Sequence, residues 1–251
     1  MKTNYFKQAL ATFALLLVAT AAHANGVEIN GIHYILVPKA KQATVTYPGE
    51  NPWHSASNSY SGAIIIPPTV TDNNDGVTYT VTAIGDAAFL LSSITSIDIP
   101  NTVTKNGDEA LYHTSLQSVT IPNTVKELGS CVFGDCGFLA SATIQGNMDS
   151  WGEDIFGFSS QLKTVNLPDG MTVIPRSMFR ECKSLSSIQL PNTITSIENE
   201  GFGGCSSLSS INLPKACTRI GGNAFYECSS LSSINLENVS EIGSSAFFQC
   251  I

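Results

Sequence analysis

Followed along its apolar and polar positions, the chain repeats itself. Leu185-Ser-Ser-Ile-Gln-Leu-Pro191 returns as Leu208-Ser-Ser-Ile-Asn-Leu-Pro214 and again as Leu231-Ser-Ser-Ile-Asn-Leu236. The leading positions are Ile94, Leu116, Leu139, Leu162, Leu185, Leu208 and Leu231, separated by 22 residues once and then by 23 five times. Inside a unit, Ile188 and Leu190 alternate with Ser187 and Gln189, which predicts a short strand with one buried and one wet face. Pro191 follows, cannot donate to a ladder, and suits a corner. Ile194 and Ile197 come next, three residues apart. Phe179, Phe202, Phe225 and Phe247 then make an aromatic column, and Cys182, Cys205, Cys228 and Cys250 close the unit.

A unit of this length buries too little apolar surface to stand alone, so it must stack on copies of itself. The prediction is a repeat solenoid of parallel short strands, coil beside coil at about 4.8 Å. About seven repeats fill residues 84–251. Upstream, Val27-Glu-Ile-Asn-Gly-Ile-His-Tyr34, Tyr60-Ser-Gly-Ala-Ile-Ile-Ile-Pro67 and Tyr79-Thr-Val-Thr-Ala-Ile-Gly85 read as strands. Residues 25–83 are therefore expected to form a small β-rich N-terminal cap that covers the first coil. Asp72-Asn-Asn-Asp-Gly76 sits between two such runs and suits a hairpin turn.

These columns give the chain a resemblance to the BspA-like leucine-rich repeat family of bacterial surface proteins. Leu208 to Cys228 fits the family pattern throughout, except that Cys217 stands in a Val position. The resemblance implies a leucine-rich-repeat right-handed coil, exported to the cell surface or secreted. It also implies attachment to partners such as host matrix proteins, fibronectin among them.

The first 24 residues read as a signal peptide and lie outside the fold. Lys2 and Lys7 precede an apolar run from Ala9 to Ala22, and Ala22-His23-Ala24 fits a cleavage site. That run is shorter than the roughly 20 residues of a membrane span, so an integral membrane protein is not expected. Removing the leader takes two of the 12 basic residues and none of the 20 acids, leaving a formal charge of −10. An acidic chain is poorly matched to nucleic acid or an anionic membrane, and nucleic acid is excluded as a partner.

The seven cysteines follow the repeat. Cys136 shares the column of Cys182, and the expectation is free, buried thiols that act as small apolar residues. Disulfides between stacked coils are the alternative. Cys131 takes the variable slot of Asn223 and is the candidate accessible thiol. Trp151 falls in the column of Leu128, Ile174 and Ile197 and is expected in the core. No Gly-x-Ser-x-Gly elbow, phosphate loop or His-Glu-x-x-His occurs, so no enzyme, cofactor or metal site is predicted.

The outward strand positions form two polar columns. One is Ser96, Ser118, Ser141, Thr164, Ser187, Ser210 and Ser233. The other is Asp98, Thr120, Thr143, Asn166, Gln189, Asn212 and Asn235. Either these small residues merely suit tight stacking, or they form a repeated hydrogen-bonding surface for an extended matrix protein or glycan. The candidate partner-binding residues are Asn166, Ser187, Gln189, Ser210, Asn212, Ser233 and Asn235. Trp53, with Tyr60 nearby in the cap, either joins them as an aromatic anchor or tucks onto the cap. A structural spacer, or a fragment of a longer surface protein, is the alternative. Phe247, Phe248 and Cys250 end a coil without a cover, which also points to self-association there.

Overall fold

The computed structural model describes residues 26–49, 51–52 and 58–250. The expected leader and Trp53 lie outside them. The described chain is a solenoid of about seven turns with stacked parallel strands and no helix. The repeated columns all point inward: Leu116, Leu139, Leu162, Leu185 and Leu208 are buried, as are Ile174, Ile197 and Ile220. Trp151 is half-buried and packs on the same core.

The cap is built from β1 (Val27–Ile29), β2 (Ile32–Val37), β3 (Gln42–Thr46), β4 (Ser61–Ile65), β5 (Thr69–Thr71) and β6 (Thr78–Ile84). β1, β2 and β3 run antiparallel to their neighbours in sequence. β5 and β6 make the hairpin expected around Asp72 to Gly76, with the Gly76 N–H donating to the Asp72 carbonyl at 2.8 Å. Gly76 has φ +69°, a conformation that costs glycine nothing. β3 then pairs in parallel with β6, and β6 with Lys105–Asn106 of the first coils, so the cap feeds straight into the solenoid. β4 does the same on the other face, lying parallel to β7 (Ser93–Asp98).

Two parallel ladders run along the coils, where the sequence pattern points to one main strand. The fuller ladder uses the residues after the proline. It passes through Lys105–Asn106, Glu127–Leu128 and Ser150–Trp151, then Val173–Ile174, Ser196–Ile197, Arg219–Ile220 and Glu241–Ile242. The expected leucine strand pairs only in patches: Ser118–Ile121 with Ser141–Ile144 and Thr164–Asn166, then Ser210–Ile211 with Ser233–Ile234. Between them, residues 185–191 carry no strand. Pro168, Pro191 and Pro214 end these strands with no N–H to donate. Proline alone does not break the pairing, because Pro100 and Pro122 follow Ser93–Asp98 and Ser118–Ile121, which pair over five and four residues. Gln145, in the same column, does donate, to the Ile121 carbonyl at 3.0 Å.

A third ladder holds the aromatic turns. In one coil the N–H groups of Ser177, Phe179 and Glu181 donate to the carbonyls of Asn199, Gly201 and Gly203 in the next. The same three bonds recur at every interface, from Ala87, Phe89 and Leu91 to Asn223, Phe225 and Glu227. Alternate N–H groups turn back inside the coil, as Arg180 to the Ser177 carbonyl at 3.0 Å. The forward edge of each turn is thus a row of donors and the rear edge a row of acceptors. The first and last of these three residues have positive φ, 55° and 58° at Ser177 and Glu181, a strain that recurs in each coil and that the ladder holds.

Behind this ladder the phenyl rings stack. Phe133, Phe156, Phe179, Phe202, Phe225 and Phe247 lie 5.1–5.8 Å apart with ring planes within 15°. The cysteine column does more than fill space. Each thiol donates to the carbonyl of the aromatic column in the preceding coil: Cys182 to Phe156 at 3.2 Å, Cys205 to Phe179 and Cys228 to Phe202 at 3.1 Å. Ser159 fills the same slot and donates to Phe133 at 2.7 Å. All seven thiols are free, so the disulfide alternative is not realised.

Both ends of the stack follow from the donor–acceptor polarity. At the front, the Asn58 side-chain amide donates to the Leu90 carbonyl at 2.8 Å and the Ala88 carbonyl at 3.4 Å, and the Tyr60 ring packs on Phe89 at 4.9 Å. In the last coil, Ile242 is 52% exposed where its column mate Ile220 is 1% exposed, and Phe248 and Leu236 are exposed too.

One column position breaks the pattern. Asn106 lies between Ile84 and Leu128, fully buried, and neither side-chain amide atom has a partner. A desolvated, unpaired amide costs about 1–3 kcal/mol. Asn106→Leu is expected to raise the free energy of unfolding by about that amount, read from the denaturation midpoint; an unchanged or lower midpoint contradicts this assignment.

Candidate functional site

The outward polar columns stand in register. Ser141 lies beside Ser118 and Thr164, Thr143 beside Thr120 and Asn166, and Ser210 beside Ser233. Asn166, Ser187, Gln189, Ser210, Asn212 and Ser233 are all exposed. The side chains are not equally free, however. The Asn166 amide donates to Thr143 Oγ1 at 3.1 Å and the Gln189 amide to its neighbour's carbonyl at 3.3 Å. Asn235 is committed: its Oδ1 accepts from the Leu213 N–H at 2.7 Å and its Nδ2 donates to the Leu213 carbonyl at 2.9 Å. It replaces part of the missing strand pairing and offers little to a ligand.

The lapse in the leucine ladder opens a groove along this surface. One stretch, of about 300 Å³, is lined by Asn166, Leu167, Asp169, Gln189, Pro191 and Asn192. A second, of about 460 Å³, is lined by Asn192, Asn212, Pro214, Lys215, Asn235 and Asn238. Asn192 belongs to both and joins them. Asp169, Asn192, Lys215 and Asn238 form a third column, three residues beyond the Asn/Gln column. Reading the repeat past its proline could have found them. Asn166, Gln189, Asn192, Asn212, Asn235 and Asn238 bring carboxamides, which both donate and accept, to walls shared with Leu and Pro side chains and with the charges of Asp169, Lys215 and Glu237.

Tyr60 does not belong to a binding surface. It is 5% exposed, and its hydroxyl accepts from the His33 N–H at 2.7 Å and donates to the Thr46 carbonyl at 2.9 Å. Its ring closes the aromatic stack, a role its position before a β-rich run did not reveal. Trp53 lies outside the described residues, so the pair expected in the cap is not brought together. Among the described residues, no cluster of three or more His, Cys, Asp or Glu side chains is placed to hold a metal. No helix among them is long and apolar enough to cross a membrane.

The profile of the BspA type leucine rich repeat region matches residues 76–186 and 158–251, in 6 copies. The chain belongs to the BspA-type leucine-rich-repeat family. Solved structures agree on the fold of this BspA-type chain. A leucine-rich repeat protein from Bacteroides ovatus is 23% identical, with a TM-score of 0.53 over 89% of this chain and 80% of its own. A leucine-rich repeat protein from Eubacterium ventriosum is also 23% identical, with a TM-score of 0.52 over 90% of this chain and 52% of its own. No curated protein gives a significant match.

Cys131 is half-buried and free, and burial first, then the nearby acids Asp154, Glu109 and Asp108, push its thiol up to about 11. Only the thiolate is nucleophilic, so this thiol is partly open yet inert at neutral pH. Iodoacetamide labelling of the native protein is expected to be slow at pH 7.5 and to climb steadily towards pH 10–11 at Cys131. A rate that levels off near pH 8 contradicts the raised value.

Proposed function

We propose that this BspA-type protein is an exported, non-catalytic surface or secreted protein that adheres to an extended protein or glycan through its amide-lined groove. The single observation carrying this reading is the groove itself. Asn166, Gln189, Asn192 and Asn212 line it from successive coils, and the unpaired strand at 185–191 opens it. Such a surface contributes many weak, equally spaced hydrogen bonds and no large aromatic anchor, which favours multivalent rather than tight single-site binding. The leader and the family resemblance support export and attachment to a host matrix.

The test is binding of the chain lacking its leader to immobilised matrix proteins, fibronectin included, and to a glycan panel. In the triple variant Asn166→Ala, Gln189→Ala, Asn212→Ala, the loss of side chains contributing about 0.5–1.5 kcal/mol each is expected to weaken binding about tenfold or more. Asn235 is left intact because its amide holds Leu213. Retention of the triple variant equal to the parent, or no retention of the parent, sinks this reading.

A further inference from the structure

We propose that the outer edge of the aromatic turns carries a separate slot for one neutral pyranose ring, between Arg180 and Tyr226. These residues and Gly203 occupy one column in three successive coils, just after Phe179, Phe202 and Phe225. Glycine in the middle leaves a gap where its neighbours project large side chains. A Cβ added to Gly203 meets no side chain among its nearest atoms, only the Asn223 carbonyl at 3.3 Å and Glu200 backbone atoms at 3.5 and 3.7 Å, whereas one at Gly134, in the same column, runs into the Tyr112 ring at 2.9 Å.

Both walls are fixed from behind. The Tyr226 ring stacks on Phe248 at 5.6 Å with planes 7° apart, and the Arg180 guanidinium lies 5.1 Å over the Phe158 ring. Each wall has an aromatic group against it, so the slot is formed before any ligand arrives. Along the phenyl column beneath, the two coil steps are 5.1 and 5.5 Å. A flat plate in contact with both walls spans roughly 7–8 Å, less than the two steps together. A puckered, saturated ring with its hydroxyls fills that space better than an aromatic one. The cavity is about 200 Å³, below the roughly 300–1,000 Å³ of common ligand pockets, which limits the occupant to a single ring.

Charge selects the class. Glu200 and Glu181 line the slot and are largely shielded, with side chains 28% and 27% exposed, and each carboxylate already has a cation. Glu200 meets Arg180 at 3.3 Å and Glu181 meets Lys183 at 3.2 Å. The slot therefore offers carboxylate, guanidinium and Asn223 amide groups for hydroxyls, and its lining charges are paired, with Glu227 hydrogen-bonded to the Tyr226 hydroxyl from outside it. Tyr226 supplies an apolar face for the C–H side of the ring. This site stands apart from the amide groove and does not depend on it.

Saturation-transfer NMR and titration calorimetry on the full chain without its leader test the proposal, with neutral methyl hexopyranosides (gluco, galacto and manno) as probes. At least one is expected to show saturable transfer. Tyr226→Ala is expected to weaken it about tenfold, with an unchanged melting curve, and Asn223→Ala to weaken it as well. Lys39→Ala, on the exposed cap and outside both the slot and the groove, leaves it unchanged. Should Tyr226→Ala alter folding, Gly203→Ser, which narrows the slot from its floor, carries the same expectation. No transfer from any of the three sugars overturns the proposal. So does equal binding by the slot variants, or preferred binding of tetramethylammonium or indole.

Discussion

The aromatic turns impose a direction on the whole molecule. In each coil three N–H groups point forward and three carbonyls point back, so no coil satisfies its own backbone there. A buried donor without a partner is costly, and each turn therefore requires a successor of the same shape in the same register. The stacked phenyl rings and the thiol-to-carbonyl bonds of the cysteine column follow from that register, since both join one coil to the next at the same height. The cap is best understood as an answer to this polarity. Asn58 brings a donor to the rear carbonyls of the first turn and Tyr60 brings a ring to its exposed phenyl.

With the inner columns and the turns held so firmly, most outer positions are released from structural duty, Asn235 excepted. Where the hydrogen-bonded ladder lapses, Leu185 and Leu190 stay buried and Ile188 is half-buried against the same core. That lapse converts part of a flat sheet into a groove whose amides come from separate coils. On another edge, a single glycine between two large residues leaves a slot. Both features arise from small departures within a repeat that is otherwise uniform, and neither asks the core to change.

The inward columns were legible because periodicity alone assigns them: Leu208, Ile211, Phe225 and Cys228 recur at fixed offsets and all are buried. The hydrogen-bonding role of the thiols was hidden, because cysteine is also a good small apolar residue; Ser159 in the same column was the available clue. Sequence spacing also could not show that the post-proline residues pair more fully than the leucine strand, which depends on coil-to-coil distance. Tyr60 was misread as surface because it follows a polar loop, whereas its burial depends on Phe89, 29 residues later. The groove was half legible. Asn166, Gln189 and Asn212 lie on it as their column implied, while Asn235 is consumed by a backbone it does not touch in sequence.

Native-state hydrogen exchange of the turn amides tests the directional stack most directly. The Phe179 and Phe202 amides are expected to exchange together and only through the largest opening of the molecule, while the Ser187 amide, in the stretch 185–191 that carries no strand, exchanges far faster. Free exchange at Phe179 and Phe202, or protection there no greater than at Ser187, contradicts a stack in which every turn donates to the next.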